Sequence, residues 1–288
     1  MLKPRASLAE TTAKEFGRSP NEMKKTKRSA ENTVPKKEAT AQASGTQAIS
    51  RAGNLLRLIA RRGSGGARLT DLSKASGLRH PTVRRILKCL INEGFVIQSA
   101  TSPRYLLGPL NFELGLATRQ DQSFQALYGG ALSRLAQASG DTTYLMARSG
   151  SEVVCLMRAE GHFPLQAKTF DVGGRRPLGF GAASLALMAE MDDAEINSIL
   201  DINQKDIDMT PRVTRELIWE RINWARKHGY AVTSNIYTFG IGSVGMAIKS
   251  RTGQPIYAIN ISIAGAERFT RKKIEQIHYL IREEIKNI

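Results

Sequence analysis

The chain has 288 residues, room for about two domains, and its 41% hydrophobic and 24% charged content is that of a globular protein. No apolar run approaches the ~18 residues of a membrane span, and no signal-like apolar core follows Met1, so a cytoplasmic protein with no membrane partner is expected. The formal net charge of +16 is unevenly placed, with +5 in residues 1–45, +9 in 46–120 and only +2 in 121–288. A basic front joined to a near-neutral body fits a polyanion-binding module attached to something else.

Taken in chain order, residues 1–45 are rich in Lys, Thr, Ser, Ala, Glu and Pro without apolar periodicity, and read as a disordered basic tail. Either non-specific DNA binding or plain solubilisation would suit it. Ile49, Ala52, Leu55, Leu56 and Ile59 recur at helical spacing, and this first helix ends at Gly63. After a turn at Gly63–Gly66, Thr70 is placed to cap a second helix, Asp71–Ser76, with Gly77 after its end. Pro81 suits the first turn of a third helix, whose apolar stripe is Val83, Ile86, Leu87, Leu90 and Ile91. Phe95–Ile97 and Arg104–Leu106 flank a polar loop and read as a two-stranded wing, before a connecting helix at Asn111–Arg119.

The rest alternates helix and strand. A helix is expected around Phe124–Ser139, then strands at Thr142–Ala147, Val153–Arg158 and near Leu165–Phe170. Helices follow at Ala182–Ala189, Asp193–Leu200 and, after Thr210-Pro211, through to His228, then strands at Val244–Lys249 and Ile256–Ile263. A closing helix carries Ile274, Ile277, Ile281, Ile285 and Ile288 on one face. Strand hairpins flanked by helices predict an α+β body with an antiparallel sheet. Cys89 and Cys155 have no ligand-like spacing and read as reduced core residues.

Three consecutive helices and a wing make a winged helix-turn-helix, in which the recognition helix lies in the DNA major groove. The face of the third helix opposite its apolar stripe presents Pro81, Arg85, Lys88 and Asn92, with Arg84 on the flank and His80 and Thr82 at the start. Arginine pairs bidentately with guanine and lysine suits phosphate, so the candidate DNA contacts are Arg79, His80, Thr82, Arg84, Arg85 and Lys88.

Catalytic motifs in the body are weak. Gly240, Gly242 and Gly245 spell G-x-G-x-x-G, but the segment that follows reads as a strand, and the phosphate-binding motif must open a helix. Ser184 and Ser243 lack a nucleophile elbow, and His80, His162, His228 and His278 are scattered without metal spacing. Neither an enzyme nor a cofactor or metal is expected. The small residues of Gly179–Ala183 instead open an apolar helix whose free N–H groups and dipole favour a carboxylate or other small anion. Ile241, Phe180 and Met157 are candidate apolar walls. No cationic cluster is evident there, unless Arg148 or Arg175 folds inward.

Several segments carry a family resemblance. In the front they are A-I-S-R-A at Ala48–Ala52, L-T-D-L-S-K-A-S-G-L at Leu69–Leu78, T-V-R-R-I-L-K-C-L at Thr82–Leu90 and E-G-F-V at Glu93–Val96. Y-L-L-G-P at Tyr105–Pro109 and F-E-L-G at Phe112–Gly115 follow, then S-G-D-T at Ser139–Thr142, G-G-R-R-P-L at Gly173–Leu178 and H-G-Y at His228–Tyr230. In this order the chain, over about residues 46–286, resembles the IclR family of bacterial transcription regulators. The resemblance implies a winged helix-turn-helix followed by a GAF-like effector-binding domain. It also implies dimers through the front domain and tetramers through the body. The implied effector positions are Gly181, Ala182 and Ala183 at the helix start, Thr233, Ile241 and Ser243, and Asn260 and Ser262 on the later strand. Where many members have P-L-H and then a lysine, this chain has Gly179 and Leu185, and Thr233 stands at an often acidic position.

The expected organisation is a tail at 1–45, a winged helix-turn-helix at 46–107, a linker helix at 108–122 and an effector-binding domain at 123–288. The expected function is operator binding modulated by a small organic effector, a carboxylate, in a homodimer or homotetramer. The alternative is a constitutive DNA-binding protein whose second domain serves only oligomerisation.

Overall fold

The structure, a computed structural model, describes residues 44–117, 121–249 and 255–288. The expected basic tail lies outside the described residues as far as residue 43, and Ser44 already belongs to the first helix.

The front module is built from α1 (Ser44–Ala60), a short strand β1 (Ala67–Arg68), α2 (Leu69–Ser76), α3 (His80–Asn92), β2 (Val96–Gln98) and β3 (Arg104–Leu107). Leu55, Ile59, Leu72, Val83, Leu87 and Val96 are almost wholly buried in one cluster, so the apolar stripes of the three helices meet as their spacing predicts. The wing carries a third strand that the sequence reading lacks, in the order β1-β3-β2, with Ala67 opposite Tyr105. This strand also corrects the capping of α2. It delivers the chain in extended conformation to Arg68, which takes the N-cap position without a side-chain bond, and Thr70 falls inside the first turn. Gly77 ends α2 in the left-handed region at φ 71°. The linker helix α4 (Leu110–Ala117) follows, and the expected remainder of the linker through residue 120 lies outside the described residues.

The body has α5 (Asp121–Ser139), β4 (Thr142–Ser149), β5 (Glu152–Ala159), β6 (Arg175–Pro177), α6 (Ala182–Ala189), α7 (Asp193–Asp208) and α8 (Arg215–His228). Strands β7 (Ala231–Ser234), β8 (Ile241–Lys249) and β9 (Pro255–Ala264) and the helix α9 (Arg271–Lys286) complete it. Its six strands form one antiparallel sheet in the order β6-β5-β4-β9-β8-β7. Alternate residues of each strand serve opposite faces. Tyr144 and Met146 of β4 join α6, α7 and α8 in one core, while Leu145 joins α5 and α9, with Leu132, Ile277 and Ile281, in another. This is the two-domain α+β arrangement expected.

Three assignments change. Residues 165–170 form no strand and make only an isolated bridge from Gln166 to Ile263. Side chains satisfy this segment instead of a ladder: Tyr144 Oη donates to Ala167 O at 2.6 Å and accepts from Thr169 N at 2.9 Å, and Arg158 donates to Phe170 O at 3.0 Å. The strand that pairs with β5 is the later Arg175–Pro177. Helix α7 runs on to Asp208, because Asn203 occupies a buried position and donates to Ser151 O at 2.8 Å and Leu178 O at 3.2 Å.

Asp141, 1% exposed, sits between Arg268 at 2.8 Å and Lys273 at 3.0 Å, and Lys273 also donates to Ser139 O at 2.7 Å. Removing one partner of a buried pair leaves the others desolvated and unopposed. Asp141→Ala should therefore destabilise the body by about 3–5 kcal/mol in denaturant titration. The well-exposed Asp171, paired to Arg158 at 3.3 Å, should lose at most ~1 kcal/mol on conversion to Asn. Equal effects of the two substitutions would contradict this.

Candidate nucleic-acid interface and ligand cavity

Helix α3 begins at an extended Arg79, with Pro81 in its first turn. Val83, Leu87 and Leu90 are its buried side chains. That orientation leaves Arg79, His80, Arg84, Arg85 and Lys88 exposed and Thr82 half-buried. Among the described residues none of the cations on this helix forms an ion pair, so their charge is available to a polyanion. Cys89 shares this outer face, one turn beyond Arg85, and is exposed, not a core residue. Arg104 of the wing is engaged, donating to Gly65 O at 3.0 Å and Gly66 O at 3.2 Å, which holds the hairpin against the glycine turn.

In the body, all eight expected effector positions line a single cavity of about 480 Å3 of atom-free space, open mouth included. Strand register explains how they meet. Thr233 of β7 lies opposite Ser243 of β8, which lies opposite Ser262 of β9, making a polar row across three strands. Asn260 is the next β9 residue on that face; its Nδ2 donates to Ser262 Oγ at 2.9 Å, and Ser243 Oγ is 3.0 Å from Ser262 Oγ. Asn260 is 7% exposed, and its Oδ1 is buried with no hydrogen-bond partner.

The N-terminus of α6 faces this row. Gly181 takes the N-cap at φ 96°, and Ser184 Oγ accepts from Gly179 N at 2.5 Å. The helix lies so close to β8 that a Cβ at Gly245 would come within 2.7 Å of the Ala182 carbonyl carbon. On the other sheet face a Cβ at Gly242 would stand 2.3 Å from the Phe269 ring. Gly242 and Gly245 of the G-x-G-x-x-G string therefore serve the packing of β8, and Gly240, at φ 76°, turns the chain into that strand.

The structure adds cavity residues that sequence reasoning missed, chiefly Arg176, Phe170 and Tyr237. Arg176 Nη2 donates to Thr169 O at 3.2 Å, and its guanidinium lies 4.1 Å from the Phe170 ring centroid. No carboxylate among the described residues pairs with it, and burial pulls its pKa down from the ordinary arginine value. The other two candidate cations are tied elsewhere: Arg148 to Glu195 at 2.7 Å, and Arg175 to Ser149 at 2.9 Å and Glu152 at 3.3 Å. Tyr237 donates to Gly179 O at 2.6 Å, and burial pushes its phenol up to about 12, so it stays protonated. Of the expected walls, Phe180 and Ile241 line the cavity; Met157 packs on the other core, and Met146 takes its place. Cys155 is buried and pushed up to about 11, which removes it as a nucleophile at neutral pH.

A winged helix-turn-helix whose third helix carries cations without ion pairs among the described residues, joined to an antiparallel sheet that lines an open-mouthed cavity, defines the class of two-domain transcription regulators. The family model described as the IclR helix-turn-helix domain matches residues 48–100, and that described as the bacterial transcriptional regulator IclR C-terminal domain matches 120–288. The chain belongs to the IclR family: it is a DNA-binding transcription regulator with an effector-binding C-terminal domain, not an enzyme.

Over 252 residues the chain is 27% identical to the HTH-type transcriptional repressor AllR of Salmonella typhimurium, covering 87% of this chain and 91% of that protein. It is 25% identical over 230 residues to the transcriptional repressor IclR of Escherichia coli, covering 78% and 82%. In fold it is similar to an IclR-type regulator from Silicibacter, at TM-score 0.71 and 21% identity over 83% of this chain and 94% of that one. An IclR homologue from Microbacterium hydrocarbonoxydans complexed with 4-hydroxybenzoate shares the fold at TM-score 0.61 and 17% identity, over 84% and 100%.

The seat of α6 on β8 predicts that Gly245→Ala forces the helix away from the strand. A loss of about 1–3 kcal/mol is expected in thermal or chemical unfolding, whereas Gly65→Ala, with open space around it and no left-handed backbone, should cost less. Indistinguishable effects would mean that the contact is slack.

Proposed function

We propose that the protein reads a pseudo-palindromic operator through Arg79, His80, Thr82, Arg84, Arg85 and Lys88, and that a small organic carboxylate in the body cavity modulates this binding. The boundaries of the sequence reading go with it: 46–107 binds DNA, 108–122 links and 123–288 senses. The protein works as a homodimer or homotetramer, since major-groove readers commonly pair half-sites by two-fold symmetry.

The observation that carries the effector reading is the meeting of the α6 N-terminus with the polar row of Thr233, Ser243, Ser262 and Asn260 in one partly apolar cavity. A few polar groups on an apolar lining suit a small organic ligand, and first-turn N–H groups favour its negative end. The Microbacterium homologue of the same fold is complexed with an aromatic carboxylate, 4-hydroxybenzoate, a ligand of this chemical kind.

On the DNA side, Arg85→Ala should cost about 1–3 kcal/mol and relax sequence preference, as loss of a base contact does. Lys88→Ala should weaken all sequences alike and flatten the salt dependence. Unchanged operator binding by an Arg84→Ala, Arg85→Ala double variant, or a footprint without inverted symmetry, would overturn this half of the proposal.

On the effector side, Ala182→Asp sets a carboxylate against the ligand's own. It should abolish the thermal stabilisation that small aliphatic and aromatic acids give the wild-type protein, while operator affinity stays within about threefold, a shift of under ~0.7 kcal/mol. Normal acid binding by Ala182→Asp, or calorimetric selection of a cation or nucleotide, would overturn it. A wild-type protein that binds operator but no small molecule would favour the constitutive alternative.

A further inference from the structure

Two polar needs in the cavity are unmet by the protein itself, and they lie on different strands. Arg176 projects from β6, the edge strand, and Asn260 from β9, three places along the sheet. Arg176 stands opposite Val153, and Asn260 opposite Tyr144, so both side chains belong to the sheet face that carries the cavity. Arginine remains a cation under all ordinary conditions. Here it has one hydrogen bond, to Thr169 O, and the face of Phe170, with no carboxylate to balance it among the described residues. The neighbouring cations Arg148 and Arg175 each have an acidic partner. Asn260 presents the opposite deficit: one of its two amide N–H groups donates to Ser262, while Oδ1 is buried without a donor. A buried acceptor left unpaired costs free energy that a ligand donor would recover. Tyr237 cannot supply that proton, because its hydroxyl already donates to Gly179 O. Phe170, Phe180 and Tyr237 offer aromatic walls around the space.

We propose that Arg176 and Asn260 read two separate groups of the effector, Arg176 its carboxylate and Asn260 Oδ1 a hydroxyl or amino proton, which makes the ligand class a hydroxy- or amino-substituted aromatic acid. The assignment rests on the carboxylate reading above and goes further, giving the charge to a side chain and not to the helix start alone. Arg176 on this account is a specificity-determining residue, since a guanidinium binds a carboxylate bidentately and a neutral isostere does not satisfy it.

The test is calorimetry on the full-length protein with the three hydroxybenzoate isomers, benzoate and the matching hydroxybenzamides. At least one hydroxybenzoate should bind the wild type more tightly than benzoate and more tightly than its amide, by about tenfold in each case. Arg176→Gln should weaken that acid by about tenfold to a hundredfold and leave the amide within about threefold, which also shows that the variant is folded. Asn260→Ala should remove the advantage of hydroxybenzoate over benzoate while benzoate itself binds as before. Acids that bind Arg176→Gln as they bind the wild type would overturn the role of Arg176 and leave the carboxylate reading standing. An unchanged preference in Asn260→Ala, or none in the wild type, would overturn the role of Asn260. Failure of every acid to bind the wild type would bring down the carboxylate reading and this assignment together.

Discussion

The approach of α6 to β8 at Gly245 is the constraint on which the sensing domain depends. A helix can lie this close to a strand only where no Cβ intervenes, and the atoms it would meet are backbone, which cannot rotate aside. Residues Ala182–Met188 are all buried, so the helix is held on every side and not only where it touches the sheet. Its first-turn N–H groups are thereby fixed beside Asn260, the residue directly across the ladder from Gly245. One close contact thus brings the helix dipole and the polar row of the sheet to the same wall.

Charge is handled differently in the two halves of the molecule. The cations of α3 stand exposed without carboxylate partners among the described residues, which suits a surface meant for phosphate. In the body most prominent arginines are matched: Arg148 with Glu195, Arg215 with Asp201, Arg226 with Asp193 and Arg268 with Asp141. The steep fall in net charge after residue 120 is the sequence-level trace of this pairing. Against that background, Arg176 is conspicuous as a cation inside a cavity without an acid.

Much of this was legible beforehand, and the failures have physical causes. Helical stripes such as Val83, Leu87 and Leu90 bury what their spacing says, and the eight expected effector positions do converge. Cys89 misleads because small thiols are usually interior, yet its place one turn from Arg85 puts it outside. β6 and β7 escape notice because three or four residues give too little alternation to register. Missing β6 meant missing its parity, which turns Arg175 toward Glu152 and Arg176 toward the cavity. Leu165–Phe170 looks strand-like but is held by Tyr144, Arg158 and Arg176, partners invisible to any local pattern. Asn203 breaks the apolar rhythm of α7 although it is as buried as its neighbours, which shortened the predicted helix.

The segment 160–174 lacks regular secondary structure yet supplies Thr169 and Phe170 to the cavity and braces Arg176. A wall made of loop, pinned at Gln166 and Tyr144, is the part of such a domain that can lengthen, shorten or change composition without breaking a sheet ladder. For anyone building biosensors on this scaffold, that divides the cavity into a chassis and an exchangeable part. The glycine-seated helix and the serine row are the chassis. Retargeting to a new molecule belongs in the loop and in the arginine it supports, where a library of insertions and substitutions meets the fewest structural vetoes.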